Sequence, residues 1–522
     1  MAFIYDYYEY YFYLFTCVFS GLLTYIYSRR QVPGVKRKSI VLVIGFIFES
    51  FFSVIMKHVD FVEKLRRIKH PWMCEILIKI ACCIGFSIVL IRVIIFLEKN
   101  VEKILKSSFI RENKYGLIIG TVSFVWLIIN LPTEINAYCL VWYATDYSMG
   151  LGSRFFLGTF LNLFYDGLLD TKTAFRFCVC VLILIITVVA VMLNQLIKRA
   201  KTEYRPAILF LVLCFIASPG YIRAMWQSEN MGRLETYTFF LALISVILFE
   251  SISNIYLKYG CVTILSCISM AIYQGDLFLY YPMIIMLIIY DELTNHYNAI
   301  IRRIMGMISI LCTGSAFCFF QFFAYTIFNT PKDMVNALSE KANFTVGQAA
   351  IRLELFEPIS VAYNELNKQM LLETFPRERT LLTLCLMVPI VIIVLLLYMK
   401  CMENQITERR QILRKPYIYY MLLSFAVLPQ FLLNVDWGRW MLAFNIIMFF
   451  GIFYLAYKQD EGMLCAMKKL SLFVGDNWFL CITIILYLAT LGNYRGDKWL
   501  PAVNSIIDWI QKNESLSHLL LR

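Results

Sequence analysis

The sequence predicts an all-α membrane protein, a polytopic transmembrane helix bundle of about 12–14 spans with a folded external loop. Two observations predict this class. Hydrophobic residues make up 60% of the 522 positions and charged residues 16%, against roughly 45–50% and about 25% in soluble proteins. Apolar stretches long enough for a spanning helix recur along most of the chain, with short polar segments between them. The surplus apolar surface is therefore expected to face lipid.

The apolar stretches define both the predicted spans and the domain organisation. We expect spans near 11–27, 39–56, 74–97, 115–131, 174–197, 206–219, 236–256, 261–272, 278–290, 304–328, 380–399, 417–433, 440–457 and 477–491. The predicted regions are N-terminal spans (1–114), a core with motif-bearing loops (115–328), an extracytoplasmic cap loop (329–379), C-terminal spans (380–491) and an interfacial tail helix with Trp499 and Trp509 near one face (492–522). The first residues are acidic and aromatic, unlike a cleavable signal peptide, so we expect the first helix to be retained.

Basic residues predict the orientation, because Lys and Arg concentrate in cytoplasmic loops. The strongest clusters lie at 28–38, 198–205 and 400–416, all on one side of the predicted bundle. The N-terminus and the loops beginning at Leu131, Pro219, Tyr273, Asn329, Asn434 and Gly492 then lie outside. Segment 57–72 is basic yet falls outside by alternation, so one of the first three spans is re-entrant or the count shifts by one there. Segment 153–170 is too short and interrupted for a span and predicts an interfacial helix.

Composition also excludes several classes of protein. Most of the sixteen cysteines lie in apolar runs without CxxC spacing, which argues against a disulfide framework or a zinc site. Four scattered histidines provide little material for a metal site or a catalytic triad. No Walker sequence is present, so an ATP-driven pump is unsupported. The net charge of +12 comes from short clusters between spans, which indicate topology rather than nucleic acid as a partner.

Polar motifs gather in the predicted outer loops. Glu134 precedes the sequence TDYSMGLGSR, which carries Asp146 and Arg154, and the next outer loop carries ENMGRLE with Arg233 and Glu235. Charges at span ends are costly unless they are paired or hydrated. Helix capping, snorkelling or pairing across loops would explain any one of these residues without a functional role.

Two further outer motifs complete the set. YQGD offers Tyr273 and Asp276, and NVDWGRW offers Asp436, Trp437 and Arg439. Together the four motifs predict a rim of acidic and cationic groups around one external cavity. The aromatic residues also fit the ordinary aromatic belt of a membrane protein.

Glycosyl transfer from a lipid diphosphate donor needs the side chains that these loops combine. A carboxylate deprotonates the acceptor hydroxyl, guanidinium groups stabilise the departing phosphate, and aromatic rings stack on sugars. The candidate catalytic residues are Asp146, ahead of Glu235, and Glu134. The candidate substrate-binding residues are Arg154, Arg233, Asp276, Asp436, Arg439, Trp437 and Tyr273, with Tyr147 and Trp440 as further sugar platforms.

In span number, external motifs and a large loop before the last spans, the chain resembles bacterial membrane proteins of cell-surface polysaccharide assembly. These are the O-antigen and capsule polymerases and the multi-span glycosyltransferases that use polyprenyl-linked sugars. The likeness is one of layout over most of 115–460. It implies sugar transfer or polymerisation from a polyprenyl-diphosphate-linked glycan at the outer face of the bacterial cytoplasmic (inner) membrane. It also implies membrane lipids and other polysaccharide-assembly proteins as partners. No cofactor is predicted, and a divalent metal stays open.

The resemblance also indicates a position for the catalytic carboxylate. In the related transferases this group sits in the first external loop, which corresponds to Asp146 or Glu134 if the three leading spans are an addition. The adjacent acidic pair that is typical of those proteins is absent from this sequence.

A transporter or a lipid-linked oligosaccharide flippase is the alternative function, since such proteins have a similar number of spans. They bind substrate near the midplane, commonly between two related halves. Polar residues within the predicted spans are sparse here, which favours chemistry at the surface; they include Glu49, Lys79, Arg92 and Gln321. A membrane acyltransferase would need a histidine within the membrane, and no predicted span contains one. A membrane glycosyltransferase or polymerase is therefore the favoured prediction.

Overall fold

The computed structural model describes residues 108–130, 132, 134–164, 168–218, 221, 225, 230–295, 297–356, 380–405, 413–433, 437–490, 493–495 and 498–500. The chain divides into two compact units, one of Met1–Glu112 with Trp509–Arg522 and one of Asn113–Asp508. The elements below belong almost wholly to the second unit. The spans predicted at 11–27, 39–56 and 74–97 and the basic segment 57–72 lie outside the described residues.

The described residues form a mostly helical protein. Its first helices are α1 (Ser108–Asn130), α2 (Ala137–Ala144), α3 (Phe156–Asn162), α4 (Thr171–Arg199), α5 (Arg205–Ala217), α6 (Leu234–Ser251), α7 (Ile255–Ile272), α8 (Asp276–Leu279), α9 (Tyr281–Thr294) and α10 (Ala299–Phe322). There follow α11 (Pro331–Lys341), α12 (Gln348–Ile351), α13 (Thr380–Gln405), α14 (Tyr417–Ser424), α15 (Leu428–Leu433), α16 (Trp437–Tyr457), α17 (Glu461–Asp476) and α18 (Trp478–Thr490). Single helical turns lie at Tyr147–Met149, Ser153–Phe155 and Arg352–Phe356, and the strands are β1 (Gly150–Leu151), β2 (Tyr325–Thr326), β3 (Asn493–Arg495) and β4 (Lys498–Leu500).

Polar caps set the ends of the apolar helices. Asp170 accepts a hydrogen bond from the Thr173 amide (2.5 Å) before α4, whose last turn carries Lys198 and Arg199. These side chains complement the backbone groups that a helix leaves unpaired at its ends. The predicted span 174–197 lies within α4, whereas the predicted spans 115–131 and 261–272 begin seven and six residues after the starts of α1 and α7.

Among the described residues, α4, α6, α7 and α10 are each long and apolar enough to cross a membrane, and α16 with α17 would be a fifth span if that bent pair counts as one. The helices α4, α6, α7, α10 and α16 each overlap a predicted span, whereas α17 overlaps none. The all-α class and the presence of membrane helices are thereby supported.

A sharp bend separates α16 from α17, whose axes differ by 105°. Gln459 has a left-handed backbone (φ 57°), and Asp460 caps α17 by accepting from the Met463 amide (3.0 Å). Lys468 pairs with Glu203, at the start of α5, at 3.1 Å. The sequence analysis treated 458–476 as a connection. The structure shows a sixteen-residue amphipathic helix there, which packs against α5 and α13.

Side-chain contacts show which helix ends lie together. The Arg199 guanidinium lies 3.9 Å from the centre of the Tyr457 ring, and Lys458 pairs with Glu250 at 3.1 Å. Tyr417 donates to Asp460 (2.7 Å). We call this the basic end of the bundle, formed by the loops 200–204, 252–254 and 458–460. The described parts of the basic clusters 198–205 and 400–416 both reach it, as the orientation analysis predicted.

The described part of the predicted cap loop, between α10 and α13, is folded. Thr330 accepts from the Asp333 amide (3.3 Å) at the start of α11, and Met334 and Leu338 on that helix are buried. β1 pairs with β2 in antiparallel register, and Leu169 forms a parallel bridge with Ala342. The first half of the predicted cap loop is therefore folded, while 357–379 lie outside the described residues.

Two predicted helices differ in the structure. Within segment 153–170 only Phe156–Asn162 forms an α-helix, and Leu157 and Leu161 of that helix are buried. In the predicted tail helix, Trp499 instead lies in β4, opposite Tyr494 of β3. The sequence Gly-Asp between these strands is typical of a two-residue hairpin turn, a signal that outweighs the helical spacing of the apolar residues. Trp509 lies outside the described residues.

Candidate functional site

The loop that carries Asp146 is fixed by its backbone contacts. Asp146 caps the helical turn that follows it, because its Oδ1 accepts from the Ser148 amide (2.9 Å). Gly150 then has φ 141°, and a Cβ there would lie 2.3 Å from the carbonyl oxygen of Tyr325. Only glycine fits this close approach of β1 to β2 without displacing the backbone. The loop is thereby attached to the folded external segment.

Asp146 is saturated with hydrogen bonds. Its Oδ2 accepts from Asn162 Nδ2 (2.6 Å) and from Lys341 Nζ (2.8 Å), and Ser148 Oγ donates to Oδ1. Burial raises the pKa of this carboxyl, but the hydrogen bonds and charge of Lys341 and Ser148 outweigh that effect and hold the pKa below its usual value. A carboxylate in this state is a weak proton acceptor. The contact of Asp146 with Lys341 instead attaches α11 to the loop.

Arg154 links two of the predicted motifs. Its guanidinium carbon lies 5.1 Å from the ring centres of both Trp142, on α2, and Tyr273, at the end of α7. Next to it, Ser153 Oγ donates to Gln274 of the YQGD turn. Cation–π contacts at this distance hold a guanidinium while it keeps its charge. The structure thus brings together DYSMGLGSR and YQGD.

Arg233 lies on the same helix surface. Its guanidinium carbon is 5.2 Å from the ring centre of Tyr138, which lies one helical turn before Trp142 on α2. Gly232 before it has φ 85°, and a Cβ there would lie 2.7 Å from Ile135 Cγ2. This turn directs the chain into α6 with Arg233 at its cap position. Two of the three predicted phosphate-binding arginines therefore stack on one short helix.

A small pocket joins Arg233 to a candidate acid. Arg233 and Glu235 line it together with Tyr280, from the segment after YQGD, and Leu442 of α16. Its volume of about 20 Å³ is enough for roughly one water molecule. Glu235 is one of the residues that line this pocket and is buried, with 9% of its surface exposed.

Asp276 lies behind this pocket and is fully buried. Its Oδ2 accepts from Ser269 Oγ at 2.6 Å. Burial raises the pKa of Asp276 to about 6; Ser269 and Thr238 oppose the rise, and the like charge of Glu235 adds to it. The two carboxylates, far apart in sequence, therefore interact.

The remaining predicted residues have different positions. Glu134 is exposed in the turn before α2. Asp436 and the side chains of Trp437 and Arg439 lie outside what the structure describes, so the shared cavity predicted for three arginines remains a prediction. Trp440 is fully buried and offers no ring face to a sugar, because α16 turns it into the core.

Sequence reasoning missed the partners that decide the carboxylate environments. Lys341, Asn162 and Ser269 are ordinary polar residues whose spacing gives no signal, and Lys341 is 195 residues from Asp146. It also missed charges at the basic end, where Asp291 accepts from Asn295 Nδ2 (2.7 Å) and pairs with Arg302. Polar clusters therefore occur at both ends of the bundle. Among the described residues, no group of three or more His, Cys, Asp or Glu side chains could hold a metal ion.

The fold and these residues define a helical membrane protein whose motif loops 145–155, 230–233 and 273–280 meet at the end opposite the basic end. We call this the motif end. No family model, no curated protein and no solved structure matches the chain.

Proposed function

We propose that this chain is a bacterial membrane glycosyltransferase or polymerase. It would cross the cytoplasmic membrane about 12–14 times and transfer sugars from a polyprenyl diphosphate carrier at the extracytoplasmic face. The observation that carries the proposal is the meeting, at the motif end, of two stacked arginines with an interacting pair of buried carboxylates. Cationic donors and a proton acceptor are the groups that this reaction needs from a protein.

The reaction assigns a role to each group. The acceptor hydroxyl oxygen forms a bond to the anomeric carbon of the donor as the bond from that carbon to the phosphate oxygen breaks. The electron pair leaves with the lipid diphosphate, and the hydroxyl proton passes to a carboxylate. Arg233 and Arg154 suit the departing phosphates, because a guanidinium offers a fixed fork of donors and keeps its charge.

Glu235 is the better-placed proton acceptor of the candidate acids. It lines the same small pocket as Arg233, whereas the hydrogen bonds of Asp146 are committed to Lys341, Asn162 and Ser148. Asp276 acts as a positioning residue, because it is buried near Glu235 and the two charges interact. Asp146 then holds the loop that carries Arg154.

The orientation follows from the basic end. Lys and Arg near span ends are retained in the cytoplasm, so the motif end and the folded cap segment would face outward. The small size of the pocket between Arg233 and Glu235 requires that the substrate enlarges it on binding. The cap segment, attached through Lys341 and β2, is the element next to it that could hold an acceptor glycan.

The test compares surface polysaccharide in cells that lack the native gene and carry single variants. We expect Glu235→Gln to abolish polymer at normal expression, because the amide cannot accept the proton. Asp146→Asn should retain wild-type chain length but reduce the amount of folded protein. Glu292→Gln is the control, since that carboxylate pairs with Arg303 at the basic end.

Each opposite result has a defined meaning. Wild-type polymer from Glu235→Gln would remove the proposed base. If Asp146→Asn then abolished polymer in folded protein, Asp146 would regain the catalytic role. Wild-type polymer from a variant that combines both substitutions would leave the flippase as the favoured function.

A further inference from the structure

A narrow apolar cavity of about 350 Å³ lies inside the described helices, between α4, α6 and α16. Met192, Leu243, Val246, Phe449 and Phe453 are among the side chains that line it. Polar side chains reach it mainly at the end formed by Glu250 and Tyr457. An apolar cavity with this lining would bind a hydrocarbon and exclude water.

The cavity is elongated along the helices. On α6 its lining runs from Phe239 to Ser251, which corresponds to about 18 Å of helix, and on α16 from Ile446 to Tyr457. The cavity is therefore long enough for a stretch of hydrocarbon chain that lies parallel to the helices.

One end of the cavity adjoins the candidate site. Phe239 lies one helical turn after Glu235, and its ring centre is 4.8 Å from that of Tyr280. Tyr280 lines the small pocket with Arg233, while Phe239 lines the apolar cavity. The two aromatic rings therefore separate a polar pocket from the cavity directly beneath it.

The other end is closed by charge. Glu250 accepts from Tyr454 Oη (2.6 Å) and pairs with Lys458 at 3.1 Å. A hydrocarbon chain that enters near Phe239 would thus end before this ion pair at the basic end. Cationic side chains adjoin both ends. Arg233 lies beyond Phe239 at the motif end, and Arg199 and Lys458 contact Tyr457 and Glu250 at the basic end.

We propose that this cavity binds the single hydrocarbon chain of the lipid diphosphate donor, with the diphosphate beside Arg233. This inference rests on the proposed function, because it assigns the donor's tail to the same site. We assign the donor's tail to this cavity because Phe239, which lines it, contacts Tyr280 of the pocket that Arg233 also lines. The Phe239–Tyr280 pair would lie where the chain joins the diphosphate.

The experiment measures binding of undecaprenyl diphosphate to the purified full chain in phosphatidylglycerol nanodiscs. Val246→Trp fills the cavity, and Ile247→Trp does so from its more exposed edge, in case the first variant folds poorly. Leu248→Trp on the same helix is the control, since Leu248 does not line the cavity. We expect both cavity variants to weaken binding at least tenfold and the control to bind like the wild type.

A second probe separates the tail from the head. Geranyl diphosphate carries the same diphosphate on a short chain, so its weaker binding should be unaffected by Val246→Trp and reduced by Arg233→Ala. A photoreactive residue at Ile247 should crosslink undecaprenyl diphosphate in preference to phosphatidylglycerol. Equal crosslinking of the two lipids, or unchanged undecaprenyl diphosphate binding in both cavity variants, would overturn the proposal.

The results also distinguish this proposal from the function on which it rests. Binding in the cavity together with wild-type polymer from Glu235→Gln would support the tail site and refute glycosyl transfer. Loss of polymer in Glu235→Gln, together with undecaprenyl diphosphate binding that neither cavity variant weakens, would support the transferase and refute the tail site.

Discussion

Two carboxylates at the motif end have opposite environments. Asp146 is ionised and saturated by Lys341, Ser148 and Asn162, whereas Asp276 is enclosed with one short hydrogen bond from Ser269. Because the surroundings differ, the same residue type can serve attachment in one place and proton chemistry in the other. The pH dependence of stability and of activity should therefore distinguish Asp276 from Asp146.

Asp276 should make stability fall as the pH rises. Its pKa is about 6 in the folded chain and 3.8 as an ordinary aspartate. Between these values the folded state binds more protons than the unfolded state, so the free energy of unfolding decreases with pH, by at most about 3 kcal/mol. Thermal unfolding in detergent between pH 4 and 7 measures this loss. Asp276→Asn should remove it, and an unchanged slope in that variant would assign the effect to another group.

The same ionisation should appear in activity. If the ionised form of Asp276 is the one that positions Glu235, kcat/KM for polymer formation should rise through about pH 6. Asp276→Asn should lower the rate and lose this step while keeping the fold. A variant with the wild-type pH profile would show that Asp276 has a structural role alone.

Arg233 should not tolerate replacement by lysine. A lysine ammonium cannot reproduce the bidentate contact to phosphate, so Arg233→Lys should weaken undecaprenyl diphosphate binding about tenfold, a cost near 1.4 kcal/mol. Arg303→Lys is the matched control, because Arg303 pairs with Glu292 at the basic end and is largely exposed. Equal affinities of the two variants would argue against a phosphate-binding role for Arg233.

At the scale of elements, the attachment of β1 to β2 depends on one glycine. Gly150→Ala would place a Cβ 2.3 Å from the Tyr325 carbonyl oxygen at a left-handed φ, and should cost about 1–3 kcal/mol. Gly152→Ala is the control in the same loop, since its backbone is extended (φ −162°) and its nearest neighbour lies 3.4 Å away. It should change stability by less than about 0.5 kcal/mol.

Hydrogen exchange would locate that effect. The Ile327 amide donates to the Met149 carbonyl (3.1 Å), so its exchange should accelerate in Gly150→Ala and stay slow in Gly152→Ala. Equal protection in both variants would mean that the two strands stay paired without glycine at position 150.

At the scale of the whole molecule, the two ends of the bundle should face opposite sides of the membrane. With native cysteines replaced, Ser339→Cys on α11 should react with an impermeant thiol reagent in intact cells. Ser253→Cys at the basic end should react only after permeabilisation. Both residues are exposed in the structure. Labelling of both from outside would contradict the topology, and the reverse pattern would invert it.

The sequence by itself predicted the all-α class and the approximate positions of most described helices. The predicted spans 174–197 and 261–272 lie within α4 and α7, whose starts at the caps Asp170 and Asn254 lie a few residues earlier. The basic clusters likewise predicted a common end. The prediction missed the strand pair at 493–500 and helix α17. At 493–500 a turn signal competed with the helical spacing of the apolar residues. At α17 the amphipathic spacing did not distinguish a helix from a connecting loop.

Only the tertiary structure showed the surroundings of the acidic residues and the cavity between the helices. The contact of Lys341 with Asp146 and the interaction of Asp276 with Glu235 join distant parts of the chain. The cavity exists because α4, α6 and α16 leave a gap between their side chains. Proton affinity and cavity shape depend on burial and on neighbours in space, which local residue patterns do not encode.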